Sequence, residues 1–471
     1  MPADASSSPA HLWAPLAWLP DGWREHVVAR ADESGRWAEV TAGVATAPPG
    51  AQVVAGPLLP GVVDAHSHAF QRAFVAGAET RDGTHDDFWS WRARMYAVAL
   101  RISPAQLRAV AAHLYLELLR GGYTHVCEFH YLRRDVDGSD YADPLAMSWA
   151  LADAAADVGI GLTILPVLYE RASFAAALRD DQRRFRADAR ATFDAAARIR
   201  AAARPLVDAG VAIHSLRAAS AESIAALREL VDGDAAPIHI HVAEQTGEVD
   251  ECVRVTGRRP IEWLASERVL DARWQLVHAT HASVDEIAAV AASGAGVVVC
   301  PTTEANLGDG VFDLPAWLGA RVPLALGSDS QATRDWREEL RLLEYAQRLV
   351  RRARNVAAAP ELGVASSAER LFARAIAGGA AAAGQRSWGL VAGARADALV
   401  VDVGDPALRG VAATKMLDAL VFSSPTLPWQ DVVVAGRWRV RAGRHRGAAA
   451  IARRYDAAIE ALSGSATARP S

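Results

Sequence analysis

Residues 59–70 read LPGVVDAHSHAF. An apolar run from Leu59 to Val63 gives way to Asp64 and then to His66 and His68, separated by one serine. Alternate side chains on a β-strand share a face, so two histidines spaced this way at a strand end can reach one metal ion. The pair alone is a weak signal. Its meaning depends on whether other strands bring partners to the same place.

Outward from this stretch, β-rich runs alternate with alanine-rich segments. The further strand candidates are 123–129, 161–169, 210–216, 237–243, 274–280, 295–300 and 322–328, which with 59–65 make eight. Between them, stretches such as 104–120 and 221–232 repeat apolar residues at helical spacing. The pattern predicts an α/β fold, a (β/α)8 TIM-like barrel over residues 59–385. The flanks, 1–58 and 386–449, hold short alternating segments punctuated by Gly and Pro, such as DVVVAGRWRVRAGR. They predict a small β-sandwich domain built from both chain ends. Residues 450–463 read as a terminal helix, and GSATARPS as a frayed tail.

The length of 471 residues suits one large barrel with an appendage, or two to three domains. With 51% hydrophobic and 22% charged residues, the chain can bury the core of an ordinary globular enzyme. A net charge of −5 is too small to steer nucleic acid or an anionic membrane, so neither is expected as a partner. The first twenty residues lack a basic start and a continuous apolar stretch, which argues against export. No apolar run reaches the roughly 18 residues of a membrane span. Cys127, Cys252 and Cys300 are far apart and odd in number, which reads as isolated core thiols in a reducing compartment. The expected location is cytoplasmic.

In a barrel of this kind the active site lies at the C-terminal ends of the strands. The first strand delivers His66 and His68 there. The second delivers Glu128, His130 and Tyr131; the fourth His214 and Arg217; the fifth His239, His241 and Glu244; the sixth His278 and His281; the eighth Asp329. A lone strand-end histidine is ordinarily a hydrogen-bonded structural residue, and His113, His85 and His445 keep that reading. The coincidence of place is what a structural reading leaves unexplained. His66, His68, His241 and Asp329 converge on the barrel mouth as three imidazoles and a carboxylate, a set that suits zinc with one position open for water.

The segments PGVVDAHSHAFQRA, HIHVAEQTGEVDEC, HATH and GSDS resemble the amidohydrolase superfamily across nearly the whole chain. Within it, HSHAFQRA, FWSWRARMY, EFHY and HVAEQTGEVD are similar to the formimidoylglutamate deiminases. The resemblance implies metal ligands at His66, His68, His241 and Asp329, and catalytic roles for Glu244, His278 and Asp329. It also implies substrate-binding roles for Gln71, Arg92, Tyr131, His214 and Arg217. Gln331 departs from the pattern where relatives carry histidine, which leaves support of Asp329 open. Many superfamily members bridge two metals with a carboxylated lysine. The one lysine here, Lys415, lies in the C-terminal segment far from any barrel strand candidate, so a single zinc ion or another divalent metal is expected.

The implied reaction is hydrolytic deimination of N-formimino-L-glutamate to N-formyl-L-glutamate and ammonia. A small molecule with two carboxylates fits Arg92 and Arg217, whose guanidinium forks bind carboxylate bidentately. The aromatics Phe88, Trp89 and Trp91 read as packing for a loop over the mouth. Two rival readings stand beside this one. The first is a mononuclear deaminase of guanine or a related heterocycle, which would want an aromatic, amide-lined pocket. The second is a zinc-containing homologue that binds without catalysing, which would have no need of proton-transfer groups. Relatives are commonly dimeric, so the resemblance implies a homodimer.

Overall fold

Eight parallel strands close into a barrel in the computed structural model, which describes residues 9–75, 77, 79–81, 88–423, 425–426 and 428–464. His85, the side chains of Phe88 and Trp89, and the tail beyond residue 464 lie outside the described part. The strands are β1 (Val62–Ser67), β2 (Tyr123–His130), β3 (Gly161–Leu168), β4 in two pieces (Val207–Ala209 and Val211–Ile213), β5 (Ile238–Val242), β6 (Trp274–His278), β7 (Gly296–Val299) and β8 (Leu324–Leu326). Each pairs with its neighbours in chain order, and β8 returns to β1. Every predicted strand is present with shifted ends. β1 starts at Val62 instead of 59 because Leu58 and Leu59 pair with Val400 and Leu399 of the flanking sheet. β4 breaks at Gly210, where a Cβ would meet the Pro237 carbonyl oxygen at 2.4 Å.

Strands covered on both faces read as continuous apolar runs, and the helices supply the outer cover. Pro104–Arg120 shows how such a helix is specified. Ser103 accepts from the Gln106 N–H at 3.3 Å, and the Gln106 side chain accepts from the Ser103 N–H at 2.9 Å. This capping box, with Pro104 at the first position, starts the helix. Leu107, Val110, Ala111, Leu114 and Leu118 then fall on one buried face. The Arg72 guanidinium donates to Glu117 at 2.7 and 3.1 Å and to the Tyr455 hydroxyl at 2.9 Å, docking the terminal helix Ala448–Gly464 there. His113 stacks on Tyr455 with ring centroids 4.1 Å apart, and His445 bonds the Val158 carbonyl at 3.0 Å, so both are structural.

The barrel floor is closed by the end of helix Ser367–Ala382. The Ala382 carbonyl lies 2.9 Å from His239 Nε2 and 3.5 Å from Cys127 Sγ. Strands from both chain ends join in one nine-stranded mixed sheet, ordered so that Leu58–Leu59 bridges the N-terminal hairpin to Ala398–Val401. Leu12, Ala14, Val27, Ala29, Trp37, Leu58, Val400 and Val433 form its own core. All three cysteines are free and buried. Among the described residues no helix is long and apolar enough to cross a membrane.

Gly327, after β8, sits against the first strand, where a Cβ would meet His66 Cβ at 2.6 Å and Cys300 Sγ at 2.9 Å. Gly327→Ala is therefore expected to destabilise the protein by about 1–3 kcal/mol, read from the urea midpoint. Gly319→Ala, in open space at a helix end, is the control and should be neutral or stabilising by up to about 1 kcal/mol. Equal midpoints for the two variants would contradict the packing described.

Candidate metal centre and substrate pocket

Three strand ends bring four donors together. His66 Nε2 and His241 Nε2 lie 3.0 Å apart, and His66 Nε2 and His68 Nε2 each lie 3.4 Å from Asp329 Oδ1. Two of the rings are turned by the backbone: His68 Nδ1 is 3.0 Å from the Phe129 carbonyl and His241 Nδ1 is 2.9 Å from the His214 carbonyl. An Nδ1–H donated to a carbonyl leaves the Nε2 lone pair facing inward. Burial pushes His66 down to about 3 and lowers His68 and His241 as well, so all three are neutral at physiological pH. Burial alone would raise Asp329, but the hydrogen bond with His66 and the charge of His278 outweigh it and hold the carboxyl well below its ordinary value. Neutral imidazoles and an ionised carboxylate are the donor chemistry of a divalent cation, and the residues fit one.

Backbone bonds set this geometry. The Asp329 N–H donates to the His66 carbonyl at 2.9 Å, and the His68 N–H to the Asp329 carbonyl at 3.2 Å. Asp64 accepts from the Ser328 N–H at 2.9 Å and from its hydroxyl at 2.5 Å. Gln331 donates to Ser67 Oγ at 3.0 Å and to the Asp329 carbonyl at 2.9 Å. It clamps the two ligand-bearing segments and bonds the main chain of Asp329. Glu128 accepts from the Ala69 N–H at 2.6 Å and from the Tyr115 hydroxyl at 3.2 Å; burial pushes its carboxyl up to about 8. His278 (φ 68°), Ala279 (φ 50°) and Asp329 (φ 48°) are left-handed, a conformation costing of order 1 kcal/mol or more outside glycine. These turns end β6 and β8 abruptly, at the candidate metal centre.

Glu244 and His278 stand beside the four donors. His278 Nε2 is 3.7 Å from Glu244 Oε1 and 3.8 Å from Asp329 Oδ2, while its Nδ1 is 3.4 Å from Glu304 Oε1. Burial pulls His278 down, but Glu244, Glu304 and Asp329 together raise it to about 10. Glu248 accepts from the N–H groups of Ala243 at 3.2 Å and Glu244 at 3.0 Å, fixing the turn that carries Glu244. Burial, with Asp329 and Glu248 as neighbouring charges, raises Glu244 to about 7 against the pull of His278 and Arg217. A carboxyl at that value exchanges protons readily near neutrality.

One pocket joins these groups to the substrate-binding candidates. Gln71, Arg92, Tyr131, His214 and Arg217 line it together with His68, His241, Glu244, His278 and Asp329. His66 lies behind them, fully buried. Gln71 Nε2 is 3.5 Å from the Tyr131 hydroxyl. Arg92 sits on helix Phe88–Ala99 with its guanidinium 5.4 Å from the Tyr96 ring centroid. Trp91, expected to pack a loop, packs on Phe74 at 5.6 Å and also lines the pocket. Other strand-end candidates face elsewhere: His130 lies among Arg133, Leu145 and Pro166, and His281 bonds the Asp309 carbonyl at 2.8 Å. Tyr96, Tyr169, Phe185 and Glu248 are wall residues that the sequence patterns did not single out. Tyr169 directly follows β3, and that strand-end position was the available signal.

Residues 58–439 match the model of the amidohydrolase family. A formimidoylglutamate deiminase from Pseudomonas aeruginosa is 43% identical over 94% of this chain and 97% of its own. The crystal structure of an amidohydrolase from Brucella melitensis superposes with a TM-score of 0.91 at 40% identity, covering 96% of this chain and all of the other (100%). An adenosine deaminase from Xanthomonas campestris with bound zinc shares the fold, with a TM-score of 0.78 at 21% identity over 97% and 99% of the two chains.

The donor geometry predicts that His241→Ala lowers bound divalent metal at least tenfold, read by elemental analysis after dialysis, a loss of about 1.4 kcal/mol or more in binding. Full metal content in the variant would remove His241 from the centre.

Proposed function

The chain belongs to the amidohydrolase family, and on that premise we propose that it hydrolyses N-formimino-L-glutamate to N-formyl-L-glutamate and ammonia. The observation that carries the reading is the pocket in which a cation donor set, the Glu244–His278 pair and the guanidiniums of Arg92 and Arg217 meet. The similarity to the formimidoylglutamate deiminase of Pseudomonas aeruginosa supports it.

His66, His68, His241 and Asp329 would hold one zinc ion, which when bound supplies a Lewis acid able to bring the pKa of water from about 16 to about 7. The chain's own groups do the rest. Arg92 and Arg217 fork onto the two carboxylates and hold the formimino carbon towards Glu244 and His278. Gln71, Tyr131 and His214 line the path between. As the C–O bond forms, Asp329 accepts a water proton and His278 donates to the charge that grows on the tetrahedral carbon's substituents. Glu244, protonated at the start, passes its proton to the nitrogen of the cationic formimino group and takes the hydroxyl proton as the C=O bond forms, the C–N bond breaks, and ammonia leaves.

Guanine or a related heterocycle would place a neutral ring against two guanidiniums. Ammonia release should therefore be found with N-formimino-L-glutamate and not with guanine, on protein whose metal content is measured; the reverse result overturns the substrate assignment. Glu244→Gln should lower kcat by about 10²–10⁴ while metal stays bound. Surviving turnover would remove Glu244 from proton transfer. Because Glu244 must be protonated to donate to the departing nitrogen and its value is raised to about 7, kcat/KM should fall as pH rises through that region. A profile flat from pH 5 to 8 would contradict the role.

A further inference from the structure

One buried side chain ties two walls of the pocket together. Gln182 lies in the turn Asp180–Phe185 and is fully buried. Its amide group donates to the Tyr169 hydroxyl at 2.8 Å and to the Tyr96 hydroxyl at 3.4 Å, and its carbonyl accepts from the Arg179 N–H at 3.1 Å. An amide NH2 carries two hydrogens on fixed, diverging directions, so one glutamine can hold two hydroxyls at a set separation. Each tyrosine in turn supports a different binding group. The Tyr96 ring lies 5.4 Å from the Arg92 guanidinium, one helical turn away on Phe88–Ala99. The Tyr169 ring meets His214 edge-on at 4.4 Å. Phe185, from the same turn as Gln182, packs on both tyrosines at 5.5 and 5.6 Å. Arg184 fastens the end of the helix by donating to the Ala99 carbonyl at 2.5 Å and the Ile102 carbonyl at 3.0 Å.

We propose that Gln182 is a positioning residue that sets the separation of Arg92 and His214, and with it the place of the substrate carboxylate that Arg92 binds. It acts through Tyr96 and Tyr169 and touches no substrate. The inference rests on the functional reading above, because Arg92 and His214 gain their roles from it. A purely structural glutamine would affect folding alone. A positioning glutamine affects ground-state binding through Arg92, which separates KM from kcat.

The test compares holoenzyme carrying Gln182→Leu, Arg92→Met and both, with N-formimino-L-glutamate as substrate. Gln182→Leu should raise KM about tenfold with kcat within about twofold. The double variant should show no further rise over Arg92→Met, because both changes remove the same interaction. An unchanged KM, or additive effects, overturns the proposal. If Gln182→Leu does not fold, Tyr169→Phe, which deletes one hydroxyl and keeps the ring, takes its place with the same expectation. If the unaltered enzyme does not turn over this substrate, the functional reading fails instead. Amide exchange across residues 88–99 then decides the positioning itself: faster exchange in the variant sustains it, and unchanged exchange overturns it.

Discussion

Where β8 returns to β1, the last strand of the barrel must meet the first in register, and the candidate metal centre exists because it does. Asp329 donates its N–H to the carbonyl of His66 and accepts from the N–H of His68, so carboxylate and imidazoles are held by the same two hydrogen bonds that seal the barrel. Gln331 and Ser67, 264 positions apart in the chain, bond across that seam. Strands in a parallel sheet are evenly staggered, and a slip of one residue would turn every ligand to the opposite face. Placement of the fourth ligand is a property of closure.

Around this seam, buried carboxylates brace the strand ends by accepting backbone N–H groups. Asp64 holds Ser328, Glu128 holds Ala69, Glu248 holds Ala243 and Glu244, Glu304 holds Cys300, and Glu339 holds Thr302. Backbone at these loops has left the sheet ladder, and buried N–H groups need acceptors. Acids accept strongly, and burial raises each of Asp64, Glu128, Glu248 and Glu339 above its ordinary value. The loops around the cation donors are thereby stiffened without exposing the pocket floor to water.

Most of the barrel and the donor set was legible in the sequence, for a physical reason. Parallel strands are short apolar runs with sharp ends, and His66, His68, His241 and Asp329 sit at those ends within a few residues of a recognisable stretch. Other residues were legible only through resemblance: nothing local distinguishes Arg92 from the other arginines. Gln182, Glu304 and Tyr96 were not legible. Their parts in the site depend on contacts between segments distant in the chain, as Gln182 with Tyr96 and Tyr169. Glu304 reads as a first-turn acid of helix Pro301–Leu307, and only the fold shows it beneath His278. Strand starts shifted for a related reason, since Leu58 and Leu59 bond a partner found near residue 400.

That last pairing bears on how the molecule is made. Leu59 lies opposite Leu399, and the sheet holding the N-terminal hairpin is completed by strands ending at His445. During synthesis the hairpin His11–Ala31 and its neighbours through Leu59 emerge long before Ala398–Val401, so apolar residues of this core such as Leu58 wait for partners such as Val400. Contacts of such sequence separation are slow to form, and exposed strand edges invite wrong partners while they wait. The barrel lies between the two chain ends in sequence, and the folded chain brings them side by side in one sheet. For the length of each translation, the sheet begun at the start of the chain therefore lacks the strands that complete it.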